Sequence, residues 1–282
     1  MKTKIRETIT RVDIIAGRGA EELLSEDIYT VHSPSGLWFE DHETATTIKA
    51  YPENAGKYIE AIRRTGIDIL DIRITEEDRR DYSDVARRYF RPIKVEDVII
   101  RAPWNRQKDG ICYITIEPGM AFGTGRHEST RLMLKFLRDV DIAGKKVLDV
   151  GCGSAILSLY ARRKGAKFVY AVDNDQDAVL SARKNVLLNS ATGIKIVCAD
   201  IAEIGGRYDV VLANLDIRTF SLFSGHIMGL IKQGGVLIVS GIIGRERKKA
   251  LNLFLPHEPV AMIKKNAWLG FMFKKTGNRV LG

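Results

Sequence analysis

The sequence contains few cysteines and no long apolar run, and each absence excludes a class of protein. Only three of its 282 residues are cysteine, namely Cys112, Cys152 and Cys198. This odd number at wide spacing fits neither a disulfide framework nor a zinc site, so we expect no metal. No stretch approaches the ~18 consecutive apolar residues of a membrane-spanning helix, and residues 1–13 lack the apolar core of a signal peptide. A cytoplasmic protein with no membrane partner is therefore expected.

Acidic residues are outnumbered by basic ones, which gives the chain a formal net charge of +9. Lysine pairs recur towards the C-terminus, at 248–249, 264–265 and 274–275. A basic surface favours acidic or nucleic-acid-bearing partners, although a solvated charged face explains the same composition equally well. Direct binding to nucleic acid is thus compatible with the sequence but not required by it.

The most informative stretch, residues 145–189, predicts a strand, a glycine turn, a helix, a second strand and a second helix. Val147 and Leu148 belong to a short apolar run of the kind found in a buried parallel strand. Gly151 and Gly153 follow this run, and glycine allows both a tight turn and a close approach of a ligand to the backbone. Such a unit indicates a Rossmann-like nucleotide site.

Two acidic residues beside this turn decide which cofactor it fits. Asp173 ends the second strand about 20 positions after the turn, where a Rossmann-like unit binds ribose hydroxyls. Asp149 precedes the first glycine, and its charge would repel the pyrophosphate of a dinucleotide and favour a cation. Ile156 also stands where the dinucleotide motif G-x-G-x-x-G requires its last glycine. The pattern instead resembles motif I of the seven-stranded methyltransferases that bind S-adenosylmethionine, with Ala155 replacing the third glycine.

Later strand ends supply further candidates for the cofactor site. The strand predicted at 194–198 precedes Asp200, whose carboxylate could accept from an adenine amino group. The strand predicted at 208–213 ends beside Asn214, at the edge where open parallel sheets bind ligands, and a helix is predicted at 220–231. Asn214 is therefore expected next to the transferable methyl group, with its side-chain carbonyl available to an incoming amine.

A second glycine-rich stretch, EPGMAFGTGRHEST at residues 117–130, leads into a helix that begins near His127. Helix N-terminal amides and the hydroxyl of Thr130 could donate to a carboxylate, such as that at the methionine end of a cofactor. Phe122 would then wall the site. A plain glycine-rich connector explains the composition about as well, and His127 is expected to cap or pack rather than to act as a base.

Residues 1–75 predict a separate small α+β domain of ferredoxin-like type. Strands are expected at 5–15, 44–50 and 67–74, a hairpin at 27–40, and helices at 20–24 and 53–65. Residues 76–91 are strongly charged and predict a helical linker. Residues 92–282 predict an α/β domain with a Rossmann-like seven-stranded sheet, preceded by strands at 95–101 and 111–116. The first domain carries no catalytic constellation, which favours a role in substrate recognition.

Five motifs between about Tyr82 and the C-terminus carry a family resemblance. They read YSDVARRYFRPIKV, EPGMAFGTGRHEST, LDVGCGS, VVLANL and SGII. Together they resemble the bacterial methyltransferases that modify large-subunit ribosomal protein L11, and the second motif is the most specific of them. The resemblance implies that Thr130, Gly151, Asp173 and Asn214 contact S-adenosylmethionine and that the N-terminal domain grips the ribosomal protein.

The implied reaction is methyl transfer to a lysine or N-terminal amine of that protein, with Asn214 orienting the amine and Phe122 walling the site. After Asn214 the chain reads LDIRTF, where the family usually has a small apolar run on the acceptor side. The alternatives are a protein-lysine methyltransferase with another target, a methyltransferase of RNA or small molecules, and an adapter without activity. The Asn-Pro-Pro-aromatic motif of base methylation is missing after the fourth strand, and Asp149 disfavours a NAD-dependent oxidoreductase.

Overall fold

The computed structural model of the chain describes residues 8–24, 28, 37–78, 90–118 and 125–276. The chain divides into two compact units, with the division between Arg91 and Pro92. None of the helices in the described ranges is long and apolar enough to cross a membrane.

The first unit holds a four-stranded antiparallel sheet. Its elements are β1 (Thr8–Gly17), a 3-10 turn (Ala20–Leu23), β2 (Leu37–Asp41), β3 (Ala45–Ala50), helix α1 (Ala55–Arg64) and β4 (Ile69–Asp78). The strand order β2-β3-β1-β4 is that of a ferredoxin-like fold, as the sequence predicts. Asn54 starts α1 by accepting from the N–H of Lys57 at 2.9 Å, and Tyr58 and Ile62 of α1 belong to the core beneath the sheet.

The end of β4 differs from the sequence prediction. A linker helix is expected from residue 76, but residues 76–78 continue β4 and pair with residues 8–10 of β1. Strand pairing decides the conformation because β1 offers hydrogen-bond partners that a charged helix would leave unused. The rest of the predicted linker, residues 79–89, and the predicted hairpin turn at 33–36 lie outside the described residues.

The described residues of the second unit form a small sheet, a large sheet and five helices of seven residues or more. The small sheet consists of β5 (Ile93–Val95), β6 (Val98–Arg101) and β7 (Tyr113–Thr115). The strands of the large sheet are β8 (Lys146–Val150), β9 (Phe168–Asp173), β10 (Ile194–Cys198), β11 (Tyr208–Asn214), β12 (Ile231–Ile243), β13 (Pro259–Lys265) and β14 (Trp268–Lys274). The helices are α2 (Glu128–Asp139), α3 (Ile156–Arg163), α4 (Gln176–Leu188), α5 (Ile217–Gly229) and α6 (Arg247–Leu253).

The order of the large sheet, β10-β9-β8-β11-β12-β14-β13, places a reversal point between β8 and β11. Strands β8 to β12 pair in parallel, and β14 is antiparallel to β12 and β13. The chain runs outward from β8 to β10, then crosses to β11 and runs the other way. In such sheets, ligands bind in the crevice beyond the carboxyl ends of the strands at the reversal point. The predicted seven-stranded Rossmann-like sheet is confirmed.

Two element boundaries beyond β11 differ from the sequence prediction, which places a helix at 220–231. Helix α5 begins at Ile217 because Asp216 caps it and accepts from the N–H of Thr219 at 2.5 Å. Strand β12 begins at Ile231, the residue expected to end that helix. The helix therefore starts and ends earlier than its apolar spacing suggests.

Helices cover both faces of the large sheet, as a parallel sheet requires. On one face, α2 and α3 pack through Met133, Leu137 and Leu159. On the other face, α5 and α6 pack through Phe220 and Phe254, whose ring centroids lie 5.5 Å apart. These two cores hold the strand ends that carry the candidate site.

A close contact between β14 and α2 leads to a prediction about stability. A Cβ at Gly270 would lie 2.9 Å from Cε2 of Phe136 and 3.3 Å from Cβ of Leu132. Gly270→Ala is therefore expected to displace α2 and to destabilise the protein by about 1–3 kcal/mol, as overpacking does. Thermal unfolding measures the effect. The control is Gly225→Ala in α5, where a Cβ meets nothing within 4 Å, and equal stability of the two variants would contradict the prediction.

Candidate active site

The turn after β8 is built from backbone conformations that favour glycine. Gly151 and Gly153 have φ angles of 66° and 50°, and Ala155 before α3 has 61°. The N–H of Cys152 donates to the carbonyl of Val172 at 3.0 Å, which ties the turn to the end of β9. Ala155 adopts the left-handed conformation at the position of the third motif glycine, where glycine would be unstrained. The glycine turn thus lies at the reversal point of the sheet.

Leu215 packs directly on this turn. A Cβ at Gly151 would lie 2.5 Å from Cδ2 of Leu215, and a Cβ at Gly241 would lie 2.3 Å from its carbonyl oxygen. Leu215 follows Asn214 and opens the LDIRTF segment. The glycine turn and the start of that segment are therefore in contact at one edge of the sheet.

Asp173 at the end of β9 reaches the glycine turn, as its spacing predicts. Its Oδ2 accepts from the N–H of Gly153 at 2.8 Å, and its Oδ1 accepts from the N–H of Asp175 at 3.1 Å. Burial raises the pKa of this carboxyl above its usual value, although the backbone hydrogen bonds oppose the shift. Each oxygen keeps a lone pair with which it could accept from a hydroxyl group.

Asp149 on β8 is completely buried. The hydroxyl of Ser158 on α3 donates to its Oδ2 at 2.6 Å. Burial raises the pKa of the carboxyl to about 6, and the Ser158 hydrogen bond opposes the shift. Near neutral pH the group is therefore largely ionised and places a negative charge inside the protein.

Three buried oxygens of the predicted site residues have no hydrogen-bond partner within the described part of the chain: Oγ1 of Thr130, Oδ1 of Asp149 and Oδ1 of Asn214. Thr130 lies in the first turn of α2, which packs against β11 and α3, and the other two lie on β8 and at the end of β11. Buried polar groups are normally paired, and the carboxylate and amide oxygens can only accept. A ligand that brings ammonium or other N–H donors would satisfy them.

His127 is a helix cap. Its Nδ1 accepts from the N–H of Ser129 at 3.3 Å at the start of α2, and its ring packs against the edge of Trp268 with centroids 4.4 Å apart. Burial lowers the pKa of the imidazole to about 4. A neutral ring can accept from the helix N–H, so the expectation that His127 caps or packs is confirmed.

Two predicted site residues gain no further support from the geometry. Asp200 is exposed and caps the 3-10 turn Ile201–Glu203 by accepting from the N–H of Ala202 at 2.8 Å. Its contact with adenine stays a prediction. Phe122 lies outside the described residues, and its role as a wall of the site also stays a prediction.

Two buried polar residues of the site are missed by the sequence prediction. Ser158 holds Asp149, and Asn185 on α4 donates from Nδ2 to the carbonyl of Ser154 at 3.0 Å. Ser158 and Asn185 are both completely buried. Asn185 carries a detectable signal, because an asparagine on the inner face of a helix needs a specific partner. Ser158 carries no such signal in the sequence, because serine is small enough to occur on any face of a helix.

The fold and the site together define a class of protein. A sheet of this strand order, with a glycine turn after β8 and an acidic residue ending β9, is the Rossmann-like fold of the class I methyltransferases. A solved structure described as ribosomal protein L11 methylase from Lactobacillus delbrueckii subsp. bulgaricus matches with a TM-score of 0.63 and 23% identity, covering 67% of this chain and 100% of that chain. At this identity the likeness shows a shared fold.

Sequence comparison identifies the family. The family model described as ribosomal protein L11 methyltransferase (PrmA) matches residues 3–276. A ribosomal protein L11 methyltransferase of Caldanaerobacter subterraneus subsp. tengcongensis is 35% identical over 225 residues, covering 77% of this chain and 72% of that protein. One from Campylobacter fetus subsp. fetus is 36% identical over 213 residues, covering 75% of this chain and 77% of that protein. The chain belongs to the ribosomal protein L11 methyltransferase family.

Proposed function

We propose that the protein transfers methyl groups from S-adenosylmethionine to lysine or N-terminal amines of large-subunit ribosomal protein L11. Family membership supports the reaction class and the acceptor. The observation that carries the cofactor assignment is the set of buried oxygens at Thr130, Asp149 and Asn214 that have no partner among the described residues. The Asp149 carboxylate suits an ammonium group and disfavours phosphate, and the Thr130 hydroxyl suits a carboxylate. S-adenosylmethionine carries both an ammonium and a carboxylate group and has no phosphate.

The residues of the site fit this cofactor. Asp149 would attract its cationic end, because a buried carboxylate favours a nearby cation. Asp173 would accept from the ribose hydroxyls, and Thr130 in the first turn of α2 would donate to the carboxylate. Gly151 and Gly153 would let the backbone approach the ligand closely. When bound, S-adenosylmethionine supplies a methyl group on a cationic sulfonium.

The protein's own part in the transfer is to orient and desolvate the amine. A lysine with a pKa of about 10.4 must first lose its proton, at a cost of roughly 4 to 5 kcal/mol near neutral pH. Burial in the crevice lowers that pKa, because an apolar environment disfavours the charged form. The Oδ1 of Asn214 would then accept from the neutral amine and hold it in the attacking orientation. The proton is released to water as the amine enters the crevice.

We propose that one unit recognises the substrate and the other carries out methyl transfer. Residues 1–75 would recognise the ribosomal protein, and residues 92–282 would carry out the reaction, with the predicted linker of residues 76–91 shortened by the extension of β4. In the first unit, Leu70 and Ile74 of β4 are each 58% exposed. Apolar side chains exposed on an edge strand favour contact with a protein partner.

The proposal is tested with recombinant protein, isotope-labelled S-adenosylmethionine and purified ribosomal protein L11, followed by intact-mass and peptide analysis. Mass gains that correspond to methyl groups on L11 amines are expected. Cofactor binding without transfer would keep the methyltransferase but reject this acceptor, and the label would then be sought on other proteins and on RNA in a cell extract. A calorimetric titration without cofactor binding would instead favour an adapter without activity.

Cofactor affinity is expected to fall as the pH drops below the pKa of Asp149, which burial raises to about 6. A bound cation favours the ionised carboxyl, so the bound state has the lower pKa. At lower pH, binding must therefore release a proton, which weakens it by up to about tenfold per pH unit. Calorimetry in two buffers with different ionisation enthalpies measures this release. A dissociation constant that stays constant between about pH 5 and 8 would contradict the role of Asp149.

A further inference from the structure

Helix α4 carries a buried asparagine that joins two separate stretches of backbone. The exposed fraction of Asn185 is 0%. Its Nδ2 donates to the carbonyl of Ser154 in the glycine turn at 3.0 Å, and its Oδ1 accepts from the N–H of Glu117 at 2.9 Å. One side chain thus connects the turn after β8 to the backbone that follows β7.

Asn189, one helical turn later, holds the last residue of β7, two residues before Glu117, and has no described contact with the glycine turn. Its Oδ1 accepts from the N–H of Thr115 at 2.8 Å, and its Nδ2 donates to the carbonyl of Thr115 at 2.6 Å. Lys184 adds an ion pair with the Glu117 carboxylate. Because residues i and i+4 share one face of a helix, Asn185 and Asn189 both face the backbone between Thr115 at the end of β7 and Glu117.

The interior of α4 is an unfavourable place for asparagine unless its side chain is needed. Asparagine is a weak helix former, because its amide competes for backbone hydrogen bonds. Here both ends of the Asn185 amide are used by backbone groups that belong to other segments. An apolar replacement would leave the Ser154 carbonyl and the Glu117 N–H unpaired in the interior, which proteins avoid.

We propose that Asn185 is a positioning residue for the cofactor: it sets the distance between the glycine turn and the backbone at Glu117. This inference rests on the proposed function, which places the ligand at the glycine turn and its carboxylate at Thr130, the last residue of the glycine-rich stretch that Glu117 begins. A ligand that contacts two segments binds more tightly when they are already held at the right separation, because ordering them on binding costs free energy. Asn185 acts through these backbones and is not assigned a contact with the ligand.

Asn185→Ala tests the inference, with Asn189→Ala as the matched control. Both changes remove an amide that holds the backbone between Thr115 and Glu117, but only Asn185→Ala frees the glycine turn. The unfolding temperature and the calorimetric dissociation constant for S-adenosylmethionine are measured for each variant. Both variants are expected to lose thermal stability. The dissociation constant should rise by about tenfold or more in Asn185→Ala and by less than about threefold in Asn189→Ala.

Asn185→Asp distinguishes the hydrogen bond to Ser154 from the hydrogen bond to Glu117. It keeps an acceptor for the Glu117 N–H but loses the donor to the Ser154 carbonyl, so its affinity should also fall by about tenfold. Wild-type affinity in either Asn185 variant would overturn the inference. So would a failure of both variants to fold at the assay temperature, because the role of Asn185 would then be purely structural. A wild-type protein that binds no cofactor would overturn the proposed function instead, which keeps the two failures distinct.

Discussion

An Asp149→Asn variant is expected to bind S-adenosylmethionine about a hundredfold more weakly than the wild type and yet to unfold at the same or a higher temperature. Affinity falls because the buried negative charge is lost, and truncating one partner of a desolvated charge pair costs about 2–5 kcal/mol. Asparagine has nearly the same shape as aspartate. It can still accept from the Ser158 hydroxyl, which donates to Asp149 at 2.6 Å in the wild type.

The stability change has the opposite sign because the Asp149 carboxyl destabilises the fold near neutral pH. Burial raises its pKa to about 6 from the ordinary value of 3.8. A group with a raised folded-state pKa contributes stability below its ordinary pKa and loses it as the pH rises through the folded-state value. At about pH 7.5 the ionised group therefore costs on the order of 3 kcal/mol. Asparagine removes the free-energy cost of the buried charge. It adds the smaller free-energy cost of burying the N–H groups of its neutral amide.

Asp209→Asn is the matched control for this variant. Asp209 lies at the other end of β11 from Asn214, where it accepts from the N–H of Lys146 at 2.9 Å and from Nζ of Lys232 at 2.7 Å. Removing this well-partnered charge should lower stability and leave cofactor affinity unchanged. Calorimetric titration measures the cofactor affinity of both variants, and thermal unfolding measures their stability. Wild-type affinity in Asp149→Asn, or a loss of stability like that of the control, would refute the assignment.

The second large effect is expected for Asn214→Ala, which should lower kcat for L11 methylation by about a hundredfold or more. The Oδ1 of Asn214 is buried and has no partner among the described residues, so it can accept from the incoming amine. Without it, the amine would enter the crevice in many orientations. The dissociation constant of the cofactor should rise by less than about tenfold, because Asp149 and Asp173 would still bind it.

Steady-state rates with L11 and calorimetric cofactor binding separate these two quantities. The control is Asn252→Ala, which truncates an exposed asparagine on α6 and should change neither. Turnover within about threefold of the wild type would remove Asn214 from the mechanism. A cofactor dissociation constant that rises as much as kcat falls would assign Asn214 to cofactor binding instead.

The local parts of the site could be predicted from the sequence, because they depend on short-range patterns. An apolar strand followed by Gly151 and Gly153 specifies a turn, and one helix and one strand place Asp173 back beside it. In the structure the Gly153 N–H donates to Asp173 at 2.8 Å, and the contact of Asp173 with ribose stays a prediction. His127 could be assigned as a cap for the same reason, since helix starts are encoded within a few residues.

Features that depend on distant partners could not be predicted in this way. Residues 95–101 look like one strand, but a turn at Glu96 with a φ of 53° divides them. The last residues of β4, up to Asp78, are a strand only because β1 pairs with them. The partners of Asn185 come from two backbone segments remote from it in sequence, so no local pattern specifies them.

The position of Leu215 between two glycines limits how the acceptor range of this enzyme can be redesigned. A Cβ at Gly151 would collide with its side chain, and a Cβ at Gly241 would collide with its carbonyl. A bulkier residue at 215 would therefore displace the glycine turn before it changed the choice of acceptor. Asp216 is also needed, because it caps α5. Libraries aimed at new acceptors should keep both residues and vary the exposed positions of α5, of which Arg218 is the first.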